Sequence, residues 1–258
     1  MMRLFFLSIT ILFLISSCTQ QQERVLVFSK TSGFRHSSIE AGKQAIIKLG
    51  KENNFAADTT EDAGMFYASS LKKYKAVIFL NTTGDVLNPY QKKDFEKFIQ
   101  SGGGFVGVHA ATDTEYNWPW YGKMVGAYFL DHPEIQEARL FRAAKHELNE
   151  VLPEEWTRTD EWYNFKDINP DINVLLYIDE SSYNGGKNGA YHPISWWHNY
   201  DGGRAFYTAM GHTEASYNEE LFLQHLLAGI EYAMGRRRFE MPLVLGFNEK
   251  SIEFKSTY

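Results

Sequence analysis

The run Gly102-Gly103-Gly104-Phe105-Val106-Gly107-Val108-His109-Ala110-Ala111-Thr112-Asp113 constrains this chain more than any other stretch. Residues 105–108 make a buried strand, and the small residues that follow make a sharp turn that lifts one polar side chain off the strand end. α/β proteins present reactive groups in this way, and the usual tip residue is a serine or cysteine nucleophile. Here the tip is His109.

Strand and helix patterns alternate on both sides of that run, which predicts a parallel sheet covered by helices on both faces. The expected strands are 24–29, a weaker one at 55–60, 76–80 and 105–108. Between them come a helix from Ser37 or Ser38 to about Lys51, a short helix closing at 71–74, and a helix opened by Pro89 and stopped by Gly102-Gly103-Gly104. Regularity fails between 115 and 166 apart from one edge strand near 135–141. Strand patterns return at 174–178, 194–198 and 204–209, with Asp201-Gly202-Gly203 as a hairpin turn, and an apolar-faced helix over 218–234 closes the fold. In the tail, 239–258, Ile252-Glu253-Phe254 is a weak edge-strand candidate.

The N-terminus carries Arg3, an apolar run over 4–15 too short to span a bilayer as a helix, and then Ser16-Ser17-Cys18. This is the pattern of an export signal, residues 1–17. Ile15-Ser16-Ser17-Cys18 resembles the lipobox of bacterial lipoproteins, which implies lipidation of Cys18, a polar tether over 18–23, and a lipid-anchored, periplasm-facing domain over 24–238. Cys18 is the only cysteine, so once it is spent on the anchor, disulfides, thiolate ligands and cysteine nucleophiles are excluded. The net charge is −6, about −7 without Arg3, which argues against a nucleic-acid partner. Arg236-Arg237-Arg238 follows the last helix pattern and suits its carbonyl end.

In open doubly wound sheets, ligands bind outside the carboxyl ends of the strands. His36 follows the first strand, His109 and Asp113 the fourth, and His212 and Glu214 the last, so these segments are expected to meet at one rim. Each histidine also has a plainer reading. His36 suits a helix cap, His132 a solvated loop, His192 and His198 one face of an edge strand, and His146 and His225 surface and helix positions. The aromatic content of 16% is concentrated in part between Tyr116 and Tyr217, where Trp120, Tyr121 and Trp162 suit the lining of a polar pocket or the packing of a loop layer. Asp160-Glu161-Trp162-Tyr163 sets two carboxylates beside two aromatics, a combination suited to sugar hydroxyls and to stacking.

With these residues in view, 25–39, 102–133, 160–165 and 192–213 resemble the trehalose-utilisation, or ThuA-like, family, related to the class I glutamine amidotransferases. Gly107 to Asp113 and Tyr207-Thr208-Ala209-Met210-Gly211-His212-Thr213 carry the likeness in combination. The resemblance implies a flavodoxin-like, doubly wound and mostly parallel sheet, and a carbohydrate ligand such as a trehalose-like or keto-glucoside sugar. An amidotransferase elbow reads Gly-x-Cys-x-Gly where this chain has Gly107-Val108-His109-Ala110-Ala111. Imidazole cannot replace the thiolate of an acyl-enzyme route, so no glutaminase activity is expected.

Three readings of the rim stay open. His109 and His212 are acid and base on a sugar, with Asp113 or Glu214 fixing a ring tautomer, giving a hydrolase, lyase or isomerase of a sugar derivative. Alternatively, His36, His109 and His212 with a carboxylate hold a divalent metal such as zinc. Otherwise the site only binds carbohydrate, with Arg35, His36, Trp120, Tyr121, Asp160, Glu161 and Trp162 as contacts, or the protein is a partner-docking lipoprotein.

Overall fold

A computed structural model describes residues 22–237. The leader, Cys18, most of the tether, Arg238 and the tail with its candidate strand lie outside them. In chain order the elements are β1 (Arg24–Phe28), α1 (Ile39–Glu52), β2 (Ala56–Thr60), α2 (Ala68–Leu71), β3 (Ala76–Leu80), α3 (Pro89–Gln100), β4 (Gly104–Val108), α4 (Pro119–Val125), β5 (Tyr128–Asp131), β6 (Gln136–Arg142), β7 (Glu155–Asp160), β8 (Asn164–Lys166), β9 (Asn173–Ile178), β10 (Pro193–Tyr200), β11 (Gly203–Thr208) and α5 (Glu220–Ala233). No helix among the described residues is long and apolar enough to cross a membrane.

The main sheet runs β2-β1-β3-β4-β11-β10-β9-β6-β7. Its first five strands are mutually parallel. Their order is that of a flavodoxin-like sheet, in which the direction of winding reverses beside the first strand and opens a crevice there. β3 and β4 are buried at every residue, as expected of strands covered on both faces. From β11 the sheet continues antiparallel through β10, β9, β6 and β7, while β5 and β8 form a separate antiparallel pair. The antiparallel extension matters to the site because β7 returns its C-terminal end to the rim made by the parallel strands.

Local chemistry sets the ends of these elements. Asn88 and Gln91 form a capping box at the start of α3, with Pro89 in the first turn where its missing N–H costs nothing. At the other end of the loop that follows α3, Gly104 opens β4 so close to the last turn of α5 that a Cβ would collide with the Ala233 carbonyl group. Phe28, Phe66, Phe79, Phe95 and Phe105 interlock beneath α3, with ring centroids 4.5–6.5 Å apart. After α5 Arg236 hydrogen bonds to the carbonyls of Asn53 (2.6 Å) and Asn54 (2.9 Å), and Arg237 pairs with Glu231 (2.9 Å), so both cations serve the fold.

His225, read from the sequence as an ordinary helix position, is fully buried. The Ser195 hydroxyl donates to the Tyr207 carbonyl (2.8 Å), so it accepts from His225 Nε2–H at 2.8 Å and the ring is neutral. Burial pushes its pKa down to about 3 from 6.5. Between those two values the unfolded chain binds a proton that the folded chain does not, so this group's contribution is lost as pH falls from 6.5 toward 3. Chemical denaturation between pH 7 and pH 5 is expected to show stability falling by up to about 1.4 kcal/mol per pH unit per such histidine. The slope should flatten in His225→Gln, and an unchanged slope would count against this assignment.

Candidate metal centre at the carboxyl ends of the parallel strands

Four segments converge outside the ends of β1, β4, β7 and β11. The loop after β1 is pinned by Thr83, which accepts Ser32 N–H through its carbonyl (2.8 Å) and Gly33 N–H through its hydroxyl (3.2 Å) and donates to the Phe34 carbonyl (2.9 Å). That holds His36, 4% exposed, with its ring centroid 4.9 Å from that of His109 and 5.0 Å from that of His212. Burial, together with the two neighbouring imidazoles, pushes the pKa of His36 down to about 3, so the ring is neutral, and its Nδ1 has no hydrogen-bond partner.

His109 adopts a left-handed backbone (φ 48°), the conformation that turns its side chain off the end of β4. The Tyr207 hydroxyl holds the His109 carbonyl at 2.8 Å. On the ring, Nδ1 lies 2.7 Å from the Ala209 carbonyl oxygen. A carbonyl only accepts, so Nδ1 carries a proton and Nε2 is the atom turned inward, free to act as a ligand in the neutral ring. It is this carbonyl that orients the His109 ring, not Asp113 or Glu214.

His212 follows Gly211, whose φ of +110° disfavours any side chain and where an added Cβ would sit 2.9 Å from the Tyr217 hydroxyl, so the position is left to glycine. Asp160 fixes this turn, accepting Gly211 N–H at 2.9 Å and His212 N–H at 3.2 Å. Glu161 is the next residue and points the other way. Its Oε2 lies 2.9 Å from His212 Nδ1 and 3.3 Å from His109 Nε2, and its Oε1 lies 3.2 Å from His132 Nδ1. Burial alone would raise the pKa of Glu161, but the His109 and His212 imidazoles set against it outweigh burial and hold the carboxyl well below its usual range.

One ligand atom each from His36, His109, Glu161 and His212 falls within 4.8 Å of all the others. A four-coordinate zinc with bonds of about 2.0–2.1 Å keeps its ligand atoms about 3.3–3.4 Å apart. The separations among His109 Nε2, His212 Nδ1 and Glu161 Oε2, 2.9–3.3 Å, are close to that spacing, and His36 completes the set within 4.8 Å. Nitrogen-rich sets with one carboxylate suit zinc and other first-row divalent ions.

Beside the cluster is a cavity of about 300 Å³ lined by Phe34, His36, Asp113, Phe129, His132, Glu161, Tyr163 and His212. The Tyr163 ring packs between His109 (centroids 4.2 Å apart) and Phe129 (4.3 Å). Asp113 accepts the Tyr116 hydroxyl at 2.7 Å, and burial raises its pKa against that hydrogen bond. A larger cleft of about 600 Å³ between Phe141, Tyr177 and Tyr191 lies elsewhere, and its Glu180 is already bound to His192 and to the backbone N–H groups of Asn188 and Gly189.

The structure thus gathers His36, His109, His212, Glu161 and Asp113 at one place and corrects the expectation for the rest. Glu214 is exposed at the start of the 214–218 turn. Arg35 is spent on Glu61 through two hydrogen bonds of 2.9 and 3.0 Å. Asp160 is a buried loop anchor. Trp162 is fully buried with Nε1–H on the Gln136 carbonyl, and Tyr121 is buried with its hydroxyl on the Ala111 carbonyl. Trp120 donates to Asp201 in the β10–β11 turn, at the opposite end of the sheet. His132 stays exposed in its loop, as expected, while its Nδ1 also reaches Glu161, and Phe34, Phe129 and Tyr163 form the aromatic walls.

The family model of ThuA, described as trehalose utilisation, matches residues 24–233. The chain belongs to the ThuA family. Among solved structures it is similar to a ThuA-like protein of Bacteroides uniformis, at 23% identity over 82% of this chain and 91% of that one with a TM-score of 0.68. A ThuA-like protein of Parabacteroides merdae follows at 19% identity, over 86% and 94% of the two chains and with a TM-score of 0.67. A β-galactosidase of Bacillus circulans shares the fold over 83% of this chain but only 31% of its own length, at 15% identity and a TM-score of 0.55. Comparison with curated proteins gives no match. These likenesses support the α/β fold with a large, mostly parallel central sheet expected from the sequence, and membership of the family supports a carbohydrate-related role.

Proposed function

We propose that this protein processes a carbohydrate at a divalent cation held by His36, His109, His212 and Glu161, and that it does so as a lipid-anchored protein of the cell envelope. The observation that carries the cation is the gathering of one ligand atom each from His36, His109, Glu161 and His212 within 4.8 Å of one another. His109 commits Nδ1 to the Ala209 carbonyl, which leaves Nε2 facing Glu161 Oε2 at 3.3 Å. His212 Nδ1–H can relieve one such contact, and the Nδ1 of His36 stays unpartnered. Three imidazole nitrogens and one carboxylate oxygen turned toward one point are a donor set that a divalent cation would satisfy.

A bound cation would supply Lewis acidity, for a sugar carbonyl or for a water that becomes the nucleophile. The chain's own residues do the rest. Ala209 fixes the tautomer of His109, Asp160 fixes the turn that carries His212, and Tyr163 seals the cluster against Phe129. The sugar as substrate class follows from the family's link to trehalose utilisation. The absence of a thiol at the tip supports a chemistry other than glutamine hydrolysis.

Elemental analysis of the purified full chain is expected to give about one equivalent of zinc or a similar ion, removable by a strong chelator and restored on addition. His36→Ala and His212→Ala should each weaken retention by at least ~100-fold, beyond the 10–100-fold typical of losing a residue that merely supports a ligand. Incubation with trehalose and its keto derivatives should yield product only in the loaded form. Failure to retain any divalent ion would remove this reading and leave acid–base work by the same imidazoles, with His109 protonated between Ala209 and Glu161.

The envelope location rests on Ile15-Ser16-Ser17-Cys18. Cys18→Ser should abolish incorporation of labelled fatty acid and move the protein from the membrane to the soluble or unprocessed fraction. Equal labelling of both forms would dismiss the anchor.

A further inference from the structure

We propose that the cavity beside the cluster takes a single neutral pyranose ring, the terminal residue of a saccharide, with Phe34 and Phe129 as its stacking walls and Asp113 as an acceptor for its hydroxyls. This rests on the carbohydrate reading above and adds to it a ring count, a charge and the residues that read the sugar.

The size argument comes first. At about 20–30 Å³ per non-hydrogen group, with the liquid-water share as the upper value, a cavity of about 300 Å³ has room for about 10–15 groups. One hexose has about twelve, and a disaccharide about twice that, so the second ring of a glycoside stays outside.

The lining fixes the charge. Among the residues around the cavity there is no lysine or arginine. The nearest candidate in sequence, Arg35, has both terminal guanidinium nitrogens engaged by Glu61. Two carboxylates, Asp113 and Glu161, face the space instead. A phosphorylated sugar or a uronic acid would meet those anions, whose two negative charges already balance the divalent cation proposed above, with no cationic side chain left to offset its own, whereas a neutral polyol can donate to them.

The walls fix the shape. Phe34 is 66% exposed, an unusual position for a large apolar ring. Its loop is nevertheless rigid, because Thr83 holds the backbone on either side of it. An exposed aromatic on a pinned loop at a cavity mouth is a platform suited to the apolar C–H face of a sugar. Phe129 offers a second ring, backed by Tyr163 at 4.3 Å and through it by His109. Asp113 lies between them and the turn, with one oxygen on the Tyr116 hydroxyl and the other free for a sugar hydroxyl.

Calorimetric titration of the full chain with glucose, trehalose, maltotriose and glucose 6-phosphate tests this, with metal content measured on the same samples. Glucose, trehalose and maltotriose should bind with Kd values within ~3-fold of one another, and glucose 6-phosphate at least ~10-fold more weakly. F34A should weaken the three neutral sugars by roughly 5–10-fold and D113N by at least ~10-fold, both with unchanged metal content. An affinity that climbs more than tenfold from glucose to maltotriose, equal binding of the phosphate ester, indifference to F34A, or no sugar binding by a chain that retains its ion would each overturn the proposal. Sugar binding by a chain that holds no ion would uphold it while removing the cation.

Discussion

Replacing His109 with asparagine is expected to abolish both cation retention and sugar turnover while leaving a folded protein. Asparagine is chosen because it tolerates the left-handed backbone (φ 48°) better than most residues, so the turn at the end of β4 survives. The Tyr207 hydroxyl bonds to the main-chain carbonyl of this position, not to the ring, and is unaffected. The losses are the Nδ1–H donated to Ala209, the packing of the ring against Tyr163, and the Nε2 lone pair at the centre of the cluster. The first two cost roughly 1–3 kcal/mol in stability, small for a chain of this size. The third removes the ligand atom that lies within 3.3 Å of both His212 and Glu161. Turnover is expected to fall by at least ~10³-fold, the scale of losing a preorganised catalytic group. Elemental analysis, circular dichroism and product formation measured on one preparation separate the effects. A variant that keeps one equivalent of ion and its turnover would show that this ring is not a ligand.

The sequence carried the parallel half of the sheet and its rim because both are written in strong local signals. β3 and β4 are short unbroken apolar runs, and the polar segments that follow β1, β4 and β11 stand out by contrast with them. The convergence of His36, His109 and His212 follows from topology once those strands are known. Within 115–166 only β6 carries a legible strand pattern, and the rest is hidden for a different reason. β7 carries Glu155, Arg158 and Asp160 within six residues, and β5 and β8 span only four and three, so neither periodicity nor composition marks them as strands. Glu161 was visible as half of an acidic pair, but alternation alone cannot say which carboxylate turns inward at a strand's frayed end. Aromatic density misdirected the choice of wall. Trp120, Tyr121 and Trp162 are large and adjacent to polar residues, yet each spends its donor on a backbone carbonyl or on Asp201 and packs away from the cavity. The available signal was Phe34, a lone apolar ring in the polar loop that also carries His36.

Asp160→Ala is the substitution expected to cost most stability outside the apolar core. Its two oxygens, fully buried, collect five donors from four places in the chain: Glu161 N–H (2.9 Å) and His212 N–H (3.2 Å) on Oδ1, and Gly211 N–H (2.9 Å), the Ser216 hydroxyl (3.2 Å) and Arg158 Nη2 (3.2 Å) on Oδ2. Alanine leaves the buried Arg158 guanidinium with Glu219 as its remaining carboxylate and strands three backbone donors. Removing one partner of a buried ion pair costs about 3–5 kcal/mol, which for a chain of this length lowers Tm by roughly 6–20 °C. Asparagine should not rescue it, because an amide would turn two N–H groups toward positions already filled by donors. The effect reaches the site because Asp160 holds the main chain of two cluster members at once, His212 on one side and Glu161 on the other. Cation affinity should therefore fall by about 10–100-fold even in those molecules that stay folded, the range seen when a residue supporting a ligand is lost. A near-native Tm with full metal affinity would mean that the β11 turn holds its shape without this carboxylate. A lowered Tm with unchanged affinity would confine Asp160 to the fold, and only the two losses together place it as the strut from which the cluster hangs.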